Sequence, residues 1–242
     1  MLDFHVHLAR LPEPLSTAKE LQLSDYRAVV VACEPWEWSA SATLFSNFRE
    51  SFTPCFGIHP MIASAVSDKH FEELKNWLQN YPQAYVGECG LDKRYPGYAP
   101  GEIQERIFTW QAKIALEFKR PLMIHMVGDY RRVLAILENL GYPNSDSFPI
   151  FHRFGGDKEV IQRGLPLNAI FSIHPDSFRK ASTRAVLCEI PQERIRFETD
   201  ADESFPVQNP DGTKKAPSEI AETLLQNLNA VEQGLKNLES SR

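Results

Sequence analysis

The chain opens Met1-Leu2-Asp3-Phe4-His5-Val6-His7-Leu8, and the fold is read outward from this stretch. Leu2, Phe4, Val6 and Leu8 alternate with Asp3, His5 and His7, which is the period-two pattern of a strand with one apolar face. On a strand, His5 and His7 project to the same side. Two neutral imidazoles on one rigid element are half of a metal site. A strand with a solvated polar face would carry the same two histidines, so the rest of the chain has to decide.

Beyond this stretch, short apolar runs alternate with longer helical patterns. Strands are expected at Leu2–His7, Ala28–Ala32, Phe52–Gly57, Ala84–Glu88, Pro121–His125, Pro149–His152, Ala169–Ile173 and Ile195–Glu198. They are rich in Val, Ile and Phe, as buried parallel strands are. Helical spacing predicts a helix over Asp68–Tyr81, with Asp68 as its N-cap and Phe71, Leu74, Trp77 and Leu78 on one face. A second runs over Gly101–Phe118 with Ile103, Ile107, Trp110, Ile114 and Phe118. A third covers Asp129–Leu140, closed by Gly141 at C′. The last starts near Pro217, with Glu219 in its first turn and a stripe of Ile220, Leu224, Leu228, Val231, Leu235 and Leu238. About eight strand–helix repeats in a 242-residue chain predict a (β/α)8 TIM barrel, an α/β fold built as one domain over 1–242. The competitor is a doubly wound sheet, but no GxGxxG or P-loop follows the first strand to support its nucleotide-binding form.

Composition narrows the class. Hydrophobic residues make up 43% and aromatics 11%, as in a soluble globular protein. No run of ~18 apolar residues exists to span a membrane. The opening has no basic n-region, so no signal peptide is expected. Cys33, Cys55, Cys89 and Cys188 are widely spaced without a CxxC, and they read as reduced, mostly buried thiols in a cytoplasmic protein. A formal net charge of −6 argues against a broad basic surface for non-specific duplex binding, while leaving room for a local basic groove.

In a barrel of this kind the active site lies at the carboxyl ends of the strands. There stand His5-Val6-His7, Gly57-Ile58-His59-Pro60, Gly87-Glu88-Cys89-Gly90-Leu91-Asp92, Ile124-His125, Phe151-His152 and Phe197-Glu198-Thr199-Asp200. Singly, each polar residue reads as a turn or cap. Jointly that reading fails, because five of the seven histidines fall on one rim. Such a set suits divalent first-row metals such as zinc, manganese or iron. One ion needs about three or four ligands. His5, His7, Glu88, His125, His152 and Asp200 are six, and Glu88 can bridge, so two ions are expected. Such a pair activates water and neutralises charge on a phosphoryl or carbonyl oxygen. Asp200 is the candidate general base. His59 and His152 fit the roles of ligand, acid or phosphate contact. Lys93, Arg94 and Arg153 stand where a phosphate would bind, or are solvated loop cations. His70 lies in a helical pattern and reads as surface; His174, before Pro175-Asp176-Ser177, reads as a turn and N-cap region.

These elements resemble a known family. Asp3-Phe4-His5-Val6-His7 is similar to the DxHxH opening of amidohydrolase-like metallohydrolases. With the GxHP at 57–60, the GECGLD at 87–92, Pro121–His125, His152-Arg153-Phe154-Gly155-Gly156 and Glu198-Thr199-Asp200, the chain resembles the TatD family of metal-dependent deoxyribonucleases. The resemblance implies a TIM barrel that hydrolyses phosphodiester bonds, with two divalent ions (zinc, magnesium or manganese) on His5, His7, Glu88, His125, His152 and Asp200. It implies a 3′ to 5′ deoxyribonuclease acting on single-stranded DNA, or on a small phosphodiester. Catalytic roles would fall to Asp200, Glu88 and His59, and substrate contacts to His59, Arg153, Lys93 and Arg94. No membrane or obligate protein partner is expected. Three positions depart from the family pattern: Met126-Val127 stands where a Ser-Arg pair is usual, Gly155 replaces Ser, and Ala201-Asp202-Glu203 follows the ETD. A lactonase, amidase or phosphotriesterase of the same superfamily is the second reading. Such enzymes often bridge their metals with a fourth-strand lysine, where this chain has Glu88. The third is a silent barrel, for which a missing ligand would be the sign, and none is missing.

Overall fold

Val-, Ile- and Phe-rich strands bury both faces only if helices cover the outside and side chains fill the inside. The computed structural model, which describes residues 1–94, 100–143 and 146–241, has that arrangement. Its strands are β1 (Leu2–Val6), β2 (Arg27–Ala32), β3 (Phe52–Phe56), β4 (Tyr85–Asp92), β5 (Leu122–Val127), β6 (Pro149–Phe151), β7 (Ile170–Ile173) and β8 (Ile195–Phe197). They pair in parallel in chain order, β1 through β8. The helices are α1 (Pro14–Leu23), α2 (Trp38–Asn47), α3 (Asp68–Asn80), α4 (Gly101–Phe118), α5 (Tyr130–Asn139), α6 (Lys158–Gly164), α7 (Ala181–Arg184) and α8 (Pro217–Ser240). Phe4, Val29, Val31, Cys33, Cys55, Met123, Ile150 and Ile170 pack together as the barrel interior. Outside it, α1 and α8 bury Leu21, Ile220, Leu224 and Leu228 against Val6, Ala28 and Val30. No helix among the described residues is long and apolar enough to cross a membrane.

Two expectations about local structure are corrected. The N-cap of α3 is Ser67 and not Asp68, with the Ser67 amide donating to His70 Nδ1 at 3.0 Å. His70 therefore closes a capping box, a local role that its place inside the helical pattern conceals. The simple alternation of β1 also fails. Asp3 pairs with Ala28 but Val6 pairs with Val30, so β1 holds one extra residue between them. This bulge puts Phe4 in the barrel interior and Val6 outside. The same device recurs in β4, where Val86 pairs with Leu122 and Cys89 with Ile124. A bulge re-aims the side chains beside it, and here the two bulged strands are the ones that carry His5, His7 and Glu88. The β4 backbone needs glycine to do this. Gly87 and Gly90 sit at φ 137° and 147°, and a Cβ on Gly90 would stand 1.9 Å from the His125 carbonyl oxygen.

The barrel has one seam, between β8 and β1, which no strand ladder joins. Two backbone bonds cross it just beyond the strand ends: Asp200 N–H to the His5 carbonyl and His7 N–H to the Ala201 carbonyl, each 2.9 Å. The Asp3 carboxylate closes the rest. It accepts from the amides of His5 (3.1 Å) and Thr199 (3.0 Å), and from the hydroxyls of Thr199 and Tyr26. Burial pushes Asp3 up to about 6, while these four donors favour its carboxylate form. One buried acid thus ties the HxH segment to the ETD segment. Asp3→Ala leaves two buried amides without acceptors and should cost about 2–4 kcal/mol, a fall in Tm of about 5–15 °C by calorimetry. An unchanged Tm would show that the seam does not depend on this carboxylate.

Candidate metal centre

The strand ends place most of the expected residues in one cleft, lined among others by His7, Cys33, His59, Glu88, Asp92, His125, His152, Arg153 and Asp200. Its floor is buried: His5 is fully enclosed, and Glu88 is 3% exposed.

Two groups of donors meet at Glu88. In the first, His5 Nε2 and His7 Nε2 lie 3.2 Å apart. Glu88 Oε2 lies 3.4 and 3.7 Å from these two nitrogens, and Asp200 Oδ1 lies 3.6 and 3.7 Å from them. A tetrahedral ion with ligand bonds of about 2.0–2.2 Å holds its donors about 3.3–3.6 Å apart. The spacings of the two imidazoles from each other and from each carboxylate are close to that edge length. In the second, Glu88 Oε1 lies 2.7 Å from His125 Nδ1, 3.4 Å from His152 Nε2 and 3.6 Å from His59 Nε2. Glu88 faces one group with each oxygen, which is the geometry of a bridging carboxylate.

The outer nitrogens fix which face of each imidazole points inward. His125 Nε2 lies 2.9 Å from Asp92 Oδ2 and His152 Nδ1 lies 3.0 Å from Glu198 Oε1, so each ring has a carboxylate behind it. His59 differs. Its Nδ1 accepts the Met61 amide at 3.1 Å, so in the neutral ring the proton sits on Nε2, which faces Glu88 and His125. The backbones beneath are clamped from one face of α4. Gln104 bonds both the amide (2.8 Å) and the carbonyl (3.0 Å) of Asp92. Gln111 does the same for Ile58, next to His59, at 2.8 and 3.0 Å. Both glutamines are buried.

Electrostatics follow from this crowding. Burial alone would raise Glu88, but the ring of imidazoles around it, His152 foremost, holds it well below the ordinary carboxylate range. Burial opposes a charge on His5, yet Glu88 beside it lifts that imidazole to about 9. Burial and the neighbouring His5 then push His7 well below its usual value, since two cations cannot share a 3.2 Å contact. Against burial, hydrogen bonds to Asp92 and Glu88 raise His125 to about 9, while burial and His125 push His59 down to about 3.

The remaining expected contacts are distributed unevenly. Arg153 enters the cleft, but its guanidinium is engaged: Nη1 bonds Asp200 Oδ2 at 2.6 Å and Nε bonds Asp176 at 3.1 Å. Arg94 lines the cleft and bonds Asp92. Lys93 is not among the lining residues, and its ammonium pairs with Asp129, the N-cap of α5. His174 caps a short turn as expected, accepting from the Asp176 amide at 3.1 Å. Arg10, Cys33, Tyr130 and Lys180 line the cleft without having been marked by any motif. Asp92 and Glu198 were visible inside their motifs, but their place behind His125 and His152 needs coordinates. The departures Met126, Val127, Gly155 and Asp202 all line the walls. A Cβ at 155 would stand 2.9 Å from the Tyr130 hydroxyl, so the missing Ser side chain is the space that Tyr130 occupies.

A divalent cation that met the nitrogens of His5 and His125 would have to displace protons from imidazoles raised to about 9. Raising the pH toward 9 removes that competition, so affinity should climb with pH. Calorimetric titration with Zn²⁺ or Mn²⁺ between pH 6 and 8 should show apparent affinity rising about tenfold per pH unit for each proton displaced. A flat profile would mean that these imidazoles do not meet the ion.

Comparison with known proteins bears on family and fold. The model of the TatD related DNase family matches residues 2–238. A 3′-5′ ssDNA/RNA exonuclease TatD of Cronobacter sakazakii is 33% identical over 171 residues, which is 68% of this chain and 63% of that protein, so the match spans less than two thirds of that relative. An uncharacterized metal-dependent hydrolase TatD of Mycobacterium tuberculosis is 28% identical over 212 residues, 83% of this chain and 79% of that one. In fold, the chain is similar to the crystal structure of YJJV, a TatD homolog from Escherichia coli, with TM-score 0.76 and 23% identity over 98% of this chain and 95% of that one. With its motifs running from Asp3 to Asp200 inside a match over residues 2–238, this chain belongs to the TatD related DNase family.

Proposed function

We propose that this chain is a two-metal phosphodiesterase that shortens single-stranded DNA or RNA from the 3′ end. The observation that supports this most is Glu88, with one oxygen in each of two groups of histidine donors. In this reading His5, His7 and Asp200 hold one ion, His125 and His152 hold the other, and Glu88 joins both. Bound divalent ions there supply Lewis acidity, lowering the pKa of water and offsetting charge on the phosphoryl oxygens.

The protein's own groups do the rest. Asp92 holds the His125 ring by a hydrogen bond, and Glu198 stands 3.0 Å behind His152 Nδ1, so the inner nitrogens of both rings are left to face an ion. Asp200 takes the proton of the attacking water. Arg153 pins its Oδ2, and Asp176 in turn fixes Arg153, so Asp200 Oδ1 keeps its orientation between rounds. His59 carries its proton on Nε2 and, with its imidazole held neutral, acts as a hydrogen-bond donor to a phosphoryl oxygen and not as a ligand. Arg94 and Lys180 flank the walls, where they meet phosphates further along the strand. A single-stranded substrate is in keeping with the activity named for the Cronobacter sakazakii relative.

The test is incubation of 5′-labelled single-stranded DNA and RNA with Mn²⁺, Mg²⁺ or Zn²⁺. A ladder that shortens from the 3′ end is the expected result, and turnover of a lactone without any cleavage of nucleic acid would overturn the reading. Asp200→Asn keeps the size of the side chain and removes its proton-accepting ability. It should lower kcat by about 10²–10⁴-fold with little change in KM. Near wild-type kcat in this variant would move the base to another group.

A further inference from the structure

The barrel interior has a layered parity, and β2 contributes Val29, Val31 and then Cys33 to it. Cys33 therefore stands at the top of that stack, one residue past the end of β2, at the level where the neighbouring strands present imidazoles and carboxylates. Its backbone is fixed from both sides. The Cys33 carbonyl accepts the His59 amide at 2.9 Å, and the Cys33 amide donates to Glu37 Oε2 at 3.2 Å. The Sγ of Cys33, a ring nitrogen of His7 and a carboxylate oxygen of Glu88 all lie within 4.8 Å of one another, and all three residues are buried. Arg10 Nη2 lies 3.5 Å from the sulfur.

We infer that Cys33 is a sulfur ligand of the ion held by His5 and His7, a role that rests on the two-metal reading above. A small buried thiol is an ordinary apolar filler in most cores. Two features separate this one from Cys55, which sits lower in the same interior. It reaches two residues of the first cage, and a guanidinium donates toward its sulfur. Coordination replaces the S–H bond by a metal–sulfur bond, and the proton leaves to solvent. Arg10, itself held by Glu34 at 2.7 Å and by Glu37, then faces the thiolate and offsets its charge. Arg10 is thus a support for the sulfur and not a free substrate contact. The consequence is selectivity. A thiolate added to imidazole and carboxylate donors favours zinc over magnesium or manganese at this position, while the His125–His152 side keeps only nitrogen and oxygen donors.

Cobalt(II) substitution tests this without reference to turnover. The cobalt-loaded wild-type protein should show a thiolate-to-cobalt charge-transfer band in the near ultraviolet beside the visible ligand-field bands. Cys33→Ser should keep its cobalt content and lose the near-ultraviolet band, whereas Cys188→Ser, whose thiol lies away from the cleft, should keep both. X-ray absorption of the zinc-loaded wild-type protein gives a second readout that needs no variant, with a sulfur scatterer expected at about 2.3 Å. Cobalt bound with ligand-field bands only, or zinc with nitrogen and oxygen neighbours only, would overturn the sulfur assignment and leave the two-metal reading standing. Failure of the wild-type protein to bind either ion would overturn both.

Discussion

The structure turns on one buried carboxylate. Glu88 sits at the bottom of the cleft with His5 and His7 on one oxygen and His125, His152 and His59 around the other. Crowding so many lone pairs into a buried volume is unfavourable unless positive charge stands among them. Protons on His5 and His125 supply part of it, which is why both imidazoles are raised while their neighbours His7 and His59 are lowered. Divalent ions supply it better, because they accept several lone pairs at once. The rest of the local architecture holds the donors at these spacings. The bulges of β1 and β4 aim them inward, Asp3 ties the first strand to the last, and Gln104 and Gln111 fix two strand ends from one face of α4.

Much of this was legible in the sequence because barrels concentrate chemistry at one end of every strand. Short apolar runs predicted all eight strands to within a few residues, and those that run into His, Glu or Asp put His5, His7, Glu88, His125, His152 and Asp200 on one expected rim. What was not legible depends on contacts between distant segments. The bulge in β1 comes from register against β2, so a pattern within β1 alone predicts strict alternation. Gln104 and Gln111 look like ordinary polar positions on an amphipathic helix, and only the packing of α4 against the strand ends makes them buried clamps. Cys33 carries no motif. Its importance comes from parity along β2 and from what β1 and β4 place beside it. Arg153 was visible as a cation near the site, but its pairing with Asp200 and Asp176 rests on backbone turns with positive φ at both Arg153 and Asp200.

The cleft's charge bears on how an anionic strand would enter. Among the described lining residues, six carboxylates (Glu88, Asp92, Asp176, Asp200, Asp202 and Glu203) face four cations (Arg10, Arg94, Arg153 and Lys180). With protons on His5 and His125 the cleft without ions carries no excess of positive charge to draw in phosphate. Two divalent ions would make the local charge positive, so in this account they attract the substrate as well as activate water. Met126 and Val127 make one wall more apolar than a Ser-Arg pair would, and Tyr130 fills the space beside Gly155.

The most direct test of the central claim is anomalous X-ray diffraction from crystals soaked in Mn²⁺ or Zn²⁺. The account predicts two peaks, one against His5, His7 and Asp200 and one against His125 and His152, with the Glu88 carboxylate between them. A single peak, or two peaks that Glu88 does not join, would contradict it.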